Sequence, residues 1–113
     1  MQPSIKQTWV GTAEHGSNDT LRVKIVVTVR TRSSIGRKVT GKIFFRDPVT
    51  KGYLAAGSLS GRQLAKQMRL TTKTGLTIVG KLSTPRRFVG EITFLTGTPD
   101  ELKSSLLLRR SPN

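Results

Sequence analysis

Apolar and polar residues alternate along the first half of the chain, which is the pattern of strands that bury one face. From Leu21 every second residue to Val29 is apolar, and the positions between them are mostly polar or basic. The alternation returns over residues 38–46, after a turn-like segment at residues 33–36. Two alternating segments joined by a turn predict a β-hairpin whose outer side is basic.

Shorter strand-like segments follow, separated by residues that interrupt strands. The interruptions are Asp47-Pro48, Gly61, Thr74-Gly75 and Thr84-Pro85. With a first strand around Trp9, this spacing predicts one all-β domain over residues 1–113, an antiparallel up-and-down meander of about seven strands. The remaining predicted strands cover residues 5–14, 53–60, 63–72, 76–83 and 87–95.

A short pattern of an apolar residue, any residue, glycine, any residue and a second apolar residue occurs three times. It is centred on Gly41, Gly80 and Gly90, each on the side of its strand that is predicted to face inward. Glycine weakens a strand, but it allows the strong coiling and tight interior of a small barrel. The repeat therefore favours a closed barrel over a flat sheet, with chance recurrence in a glycine-rich chain as the alternative.

The segment Trp9-Val10-Gly11-Thr12, the meander after it and the glycine repeat together resemble the calycin-like β-barrels, the group of avidins and lipocalins. The resemblance covers residues 9–94 and implies a small barrel architecture. Gln7 stands where lipocalins have a glycine two residues before the tryptophan, and no avidin-type biotin contacts are present. The resemblance therefore implies no ligand residues.

The C-terminal segment has the features of a helix start. Thr98-Pro99-Asp100-Glu101 matches a capping box with proline at the first helical position. Leu102, Leu106 and Leu107 would form an apolar stripe, and two arginines would end the helix. The pattern predicts a short helical tail over residues 98–110, with an edge strand through residues 106–108 as the alternative.

Charge indicates the class of partner. The net charge is +14, and residues 22–87 contain sixteen lysines and arginines against one carboxylate, Asp47. On the predicted hairpin seven of these cations project from one face, which favours a polyanionic ligand over a merely solubilising surface. Phe44 and Tyr53 lie on or beside that face, where they can stack on bases, and Arg86-Arg87 forms a second cluster at a turn. The predicted nucleic-acid-binding residues are Arg22, Lys24, Arg30, Arg32, Arg37, Lys38, Lys42, Phe44, Arg46, Tyr53, Arg86 and Arg87.

Residues for catalysis are scarce. The chain has no cysteine and one histidine, His15, in a predicted loop, so neither a metal site nor a catalytic triad is expected. It also lacks a glycine-rich phosphate loop, and we expect no enzyme activity and no cofactor. No signal peptide and no apolar run of membrane-spanning length is present, which favours the cytoplasm.

The function expected from the sequence is therefore a non-catalytic, nucleic-acid-binding accessory protein or subunit of a nucleoprotein complex, with RNA favoured over DNA. Two alternatives remain. One is a calycin-like barrel that binds a small apolar ligand in its interior. The other is an interaction module whose basic face docks an acidic protein or an anionic membrane surface. The interior ligand site would be lined by residues such as Leu21, Val23, Ile43, Phe45 and Phe88.

Overall fold

The chain forms a closed β-barrel of eight antiparallel strands. The computed structural model describes residues 4–15, 19–30, 36–47 and 49–111. Each strand pairs with the next in sequence, and β8 pairs with β1, so the up-and-down meander closes on itself. The strands are β1 (Ser4–His15), β2 (Asp19–Arg30), β3 (Arg37–Arg46), β4 (Tyr53–Leu64), β5 (Gln67–Thr71), β6 (Thr77–Thr84), β7 (Arg87–Phe94) and β8 (Leu102–Arg110).

The alternation in the sequence puts apolar side chains inside the barrel and polar ones outside. Trp9, Ile43 and Phe88 are at most 3% exposed and belong to one core that all eight strands share. The indole N–H of Trp9 donates to Oε1 of Gln7 at 3.1 Å, so the side chain at the position of the missing lipocalin glycine satisfies the buried indole. The cavity at the centre of the core measures about 10 Å³, room for about one water molecule.

Inward glycines allow neighbouring strands to approach closely. A Cβ atom on Gly80 would lie 2.5 Å from the carbonyl oxygen of Val89, and one on Gly41 or Gly90 would also overlap backbone atoms of a neighbouring strand. The glycine repeat is therefore a feature of tight packing, as predicted. Gly11 and Gly61 have the same environment, although neither was counted in the repeat.

The boundary between β4 and β5 differs from the prediction. Gly61 does not interrupt a strand: it lies within β4 and pairs with Val39 and Leu70. The chain turns instead at Ala65-Lys66, where Ala65 has a φ of 55°, a value that residues other than glycine rarely adopt. Without a glycine or asparagine this turn carries no sequence signal.

The predicted C-terminal helix over residues 98–110 is wrong, and the segment forms β8 instead. Its predicted cap is a local turn, in which Thr98 Oγ1 accepts a hydrogen bond from the Asp100 amide at 3.3 Å and Glu101 Oε1 accepts one from the Gly97 amide at 3.1 Å. The leucines then follow a period of two, with Leu106 1% exposed and Leu107 50% exposed. Pairing with β7 and β1 on both sides satisfies the backbone of β8, so it is the strand that closes the barrel and not an edge.

The count of eight strands, against about seven predicted, follows from this closing strand. Within the described ranges no helix is long and apolar enough to cross a membrane.

Candidate nucleic-acid interface

The outer side of β2–β5, called here the basic face, carries most of the predicted binding residues. The β2–β3 hairpin forms as predicted, with Val23 to Val29 paired against Phe45 to Val39. Seven outward cations of the basic face have described side chains. They are Arg22 and Lys24 on β2, Lys38, Lys42 and Arg46 on β3, Arg62 on β4 and Arg69 on β5.

Within the hairpin the two central lysines are staggered. Lys24 lies opposite Phe44, and Lys42 lies opposite Val26, so neither faces a like charge directly across the β2–β3 ladder. Diagonal neighbours in a sheet are farther apart than direct partners. The repulsion inferred from the sequence is consequently weaker around these two lysines, whereas Arg22 and Arg46 lie one residue beyond the Val23–Phe45 pair and line one surface pocket together.

Three cations are directly opposed elsewhere on the basic face. Lys38 pairs with Arg62 across β3–β4, and Arg62 pairs with Arg69 across β4–β5. Like charges that face each other on adjacent strands destabilise a sheet. Lys38, Arg62 and Arg69 are called here the basic row. Sequence reasoning missed it, because treating Gly61 as an interruption concealed the pairing of Arg62 with Arg69 around the turn at Ala65.

Two aromatic side chains lie among the cations. Phe44 projects outward from β3 and is half-buried, whereas Tyr53 at the start of β4 is 38% exposed. A β-bulge between Ile43 and Phe44 changes the register, so that Tyr53 pairs with Arg46 and shares the outer side with it. The ammonium of Lys24 lies 5.6 Å from the centroid of the Tyr53 ring, within the range of a cation–π contact.

Asp47, the single carboxylate between residues 22 and 87, belongs to a turn. Asp47 follows β3, and its Oδ1 accepts a hydrogen bond from the Val49 amide at 2.8 Å. Its backbone carbonyl accepts another from the Lys51 amide at 2.8 Å, which closes the turn before β4. Across the part of the chain that the structure describes, no carboxylate forms an ion pair with the seven cations of the basic face.

The remaining predicted residues lie at the ends of strands. Arg37 begins β3 with inward parity and is exposed at one end of the barrel, and Arg30 ends β2. Arg32 lies outside the described residues. Arg86 is exposed in the β6–β7 turn, where its carbonyl accepts a hydrogen bond from the Arg110 amide at 2.8 Å, and Arg87 begins β7.

Closure of the barrel brings the Arg86-Arg87 cluster next to the basic face. Arg87 pairs with Arg109 on β8, and Arg109 pairs with Val10 on β1, which itself pairs with Lys24 on β2. A surface groove crosses these strands and is called here the seam groove. It is lined by Val10, Thr12, Arg22, Tyr53, Arg87, Leu107 and Arg109. Sequence reasoning missed Arg109, because the predicted helix gave it no place in the sheet.

The described residues contain no group of three or more histidine, cysteine or carboxylate side chains that could hold a metal ion. Comparison with protein families, with curated proteins and with solved structures finds no match.

Proposed function

We propose that this protein is a non-catalytic nucleic-acid-binding module that acts as an accessory subunit of a nucleoprotein assembly. Its basic face would neutralise backbone phosphates, and its outward aromatics would stack on unpaired bases. RNA is the favoured ligand, because the described part of the chain has no helix to enter a DNA major groove and a basic sheet suits unpaired bases.

The observation that carries this proposal is the presence of Phe44 and Tyr53 inside a field of cations. Lysines and arginines alone would fit any polyanion, including an acidic protein or an anionic membrane surface. A tyrosine ring next to Lys24, among cations that pair with no carboxylate of the described residues, also provides a flat apolar surface for a base. That combination favours nucleic acid over the other polyanions.

The interior gives less support to the alternative of a calycin-like ligand barrel. Pockets for small ligands usually enclose about 300 to 1,000 Å³. The cavity beside Trp9, Met68 and Phe88 encloses about 10 Å³, so an apolar ligand would have to displace core side chains.

Fluorescence anisotropy with single-stranded RNA, single-stranded DNA, duplex and heparin tests the proposal. We expect single strands to bind, and their affinity to fall by orders of magnitude between roughly 50 and 200 mM salt, since several counterions are released. Replacing Phe44 and Tyr53 by leucine should weaken RNA binding by about 1 to 3 kcal/mol for each base that stacks, and should leave heparin binding unchanged.

Val89→Ala is the control, because it shortens an exposed apolar side chain on β7, a strand that pairs with neither β3 nor β4. Equal affinity for RNA and heparin, with no effect of the aromatic substitutions, would contradict the proposal and favour a general polyanion or acidic-protein partner.

A further inference from the structure

The seam groove brings together cations that are far apart in the sequence. Arg22 comes from β2, Arg87 from β7 and Arg109 from β8, and all three side chains are exposed. They meet because β8 pairs with both β7 and β1, so the groove exists only in the closed barrel.

Arg87 and Arg109 are direct partners across the β7–β8 ladder. Two like charges in this relation cost stability unless an anion lies between them or close by. The lining of the groove contains no carboxylate to supply that negative charge. Each guanidinium presents a planar fork of N–H donors, which matches the oxygens of a phosphate better than the ammonium of lysine does.

The rest of the groove suits the other parts of a nucleotide. Val10 and Leu107 supply apolar surface on β1 and β8, and Leu107 is 50% exposed. Tyr53 lines the groove on the side of the basic face, where its ring contacts Lys24. The groove thus combines three phosphate-binding side chains, apolar floor residues and an aromatic ring.

The position of the groove restricts the form of the nucleic acid. The cations of the seam groove and the basic face lie on β7, β8 and β2 to β5, which are six of the eight strands around the barrel. A duplex is stiff over this length and would contact one side of a convex surface. The Cα atoms extend 24 Å along the shortest axis, about twice the roughly 12 Å width of a major groove, so the barrel cannot enter that groove.

We propose that the seam groove is a second phosphate-binding site, formed by Arg22, Arg87 and Arg109, and that one flexible single strand spans this groove and the basic face. The strand passes Tyr53 and Arg22, which belong to both surfaces, and runs across the β-strands. This inference rests on the proposed function, and it commits the ligand to single-stranded nucleic acid.

The test uses the full chain and a labelled single-stranded RNA longer than the about 4 to 16 nucleotides that a small barrel domain covers. Arg87→Gln with Arg109→Gln should weaken binding about 25-fold at 0.1 M salt and reduce the slope of log affinity against log salt by about 1.4, because two phosphate contacts are lost. Lys6→Gln with Lys73→Gln is the matched control, which removes the same charge from two exposed positions outside the groove and should change the slope much less.

A second pair, Arg87→Lys with Arg109→Lys, changes both side chains but keeps their charge. It should therefore keep most of the wild-type slope of log affinity against log salt. A blunt duplex of the same sequence should lose less affinity in the Arg87→Gln/Arg109→Gln variant than the single-stranded RNA does, because it cannot contact the seam groove and the basic face at the same time. If the glutamine pair and the Lys6/Lys73 control give the same slope on single-stranded RNA, the inference is wrong while the proposed function stands. If the wild type binds no nucleic acid, the proposed function itself is wrong.

Discussion

The two halves of the barrel, β2–β5 and β6–β8, contribute alike to the core and differ on their outer surfaces. On the basic face, outward positions carry seven described cations and two aromatics. On the outer side of β6–β8 they include Val79, Val89 and Leu107, each about half exposed, and the carboxylate of Glu91. The outward cations of those three strands are Lys81, Arg87, Lys103 and Arg109. The fold requires the inward pattern of both halves, but nothing in barrel closure requires one half of the outer wall to be so basic.

The inward side chains show how alike the two halves are. Val23 and Ile43 on the basic side and Ile78 and Ile92 on the other are all at most 1% exposed. Gly61 in β4 and Gly90 in β7 each bring a neighbouring strand close in the same way. The two halves therefore differ mainly on their surfaces, and this difference bears on binding more than on folding.

Removing the three cations of the basic row together with Lys42 on β3 should have the largest effect on RNA affinity. Changing Lys38, Lys42, Arg62 and Arg69 to glutamine should lower the affinity for single-stranded RNA by roughly 10²- to 10³-fold at 0.1 M salt, since each lost phosphate contact reduces the salt slope by about 0.7. The domain should still fold, because all four side chains are exposed. Anisotropy titrations and thermal melts measure the two effects separately.

Glutamine at Lys6, Lys66, Lys73 and Lys103 provides the matched variant, with the same change in net charge at other exposed positions. Equal losses of affinity in the two quadruple variants would mean that net charge alone drives binding and that the distinction between the faces has no functional meaning.

The leucines of β8 distinguish the inner from the outer side of one strand. Leu106 is 1% exposed and Leu107 is 50% exposed. Leu106→Ala should lower the free energy of unfolding by about 3 kcal/mol through lost burial and a cavity, and Leu107→Ala by about 0.5 kcal/mol or less. Denaturant unfolding measures both. Similar costs at the two positions would show that β8 does not alternate in the way described.

Valine at an inward glycine tests whether the two halves are equally tight. Gly61→Val and Gly90→Val should each destabilise the barrel by about 2 kcal/mol, because the new side chain overlaps backbone atoms of the adjacent strand. Gly52→Val is the control, since a Cβ there meets only the Thr50 hydroxyl at 3.8 Å. Thermal melts compare the three, and a normal melting temperature for either inward variant would contradict the packing described for that half.

The smallest effect concerns stability without ligand. Arg62 faces Lys38 on one side and Arg69 on the other. Arg62→Gln should therefore raise the free energy of unfolding by about 0.5 kcal/mol at low salt, and the gain should shrink as salt screens the repulsion. Urea unfolding at two salt concentrations measures this, and destabilisation by the substitution would show that the arginine stem contributes more than its charge costs.

The sequence predicted the interior of the barrel well, because alternation and inward glycines are direct consequences of a closed sheet. It failed where local signals competed with long-range pairing. Thr98 and Glu101 form the hydrogen bonds of a cap, yet the strand that follows pairs with β7 over Leu102–Arg109 and with β1 over Ser105–Arg110. Ala65 turns the chain without a turn residue. The basic row and the seam groove depend on those two features, so they could not be found from the sequence.

Mapping amide chemical shifts of the full chain during titration with single-stranded RNA tests the central claim most directly, because it reports which side of the barrel the ligand covers. The perturbed amides should cluster on β2–β5, around Phe44 and Tyr53, and along the seam groove at Arg87 and Arg109. The middle of the outer surface of β6 and β7, around Val79 and Glu91, should show the smallest perturbations, since Val79 is joined to the basic face only through its pair with Arg69. Perturbations centred on Val79 and Glu91, or spread evenly over the whole barrel, would contradict the account.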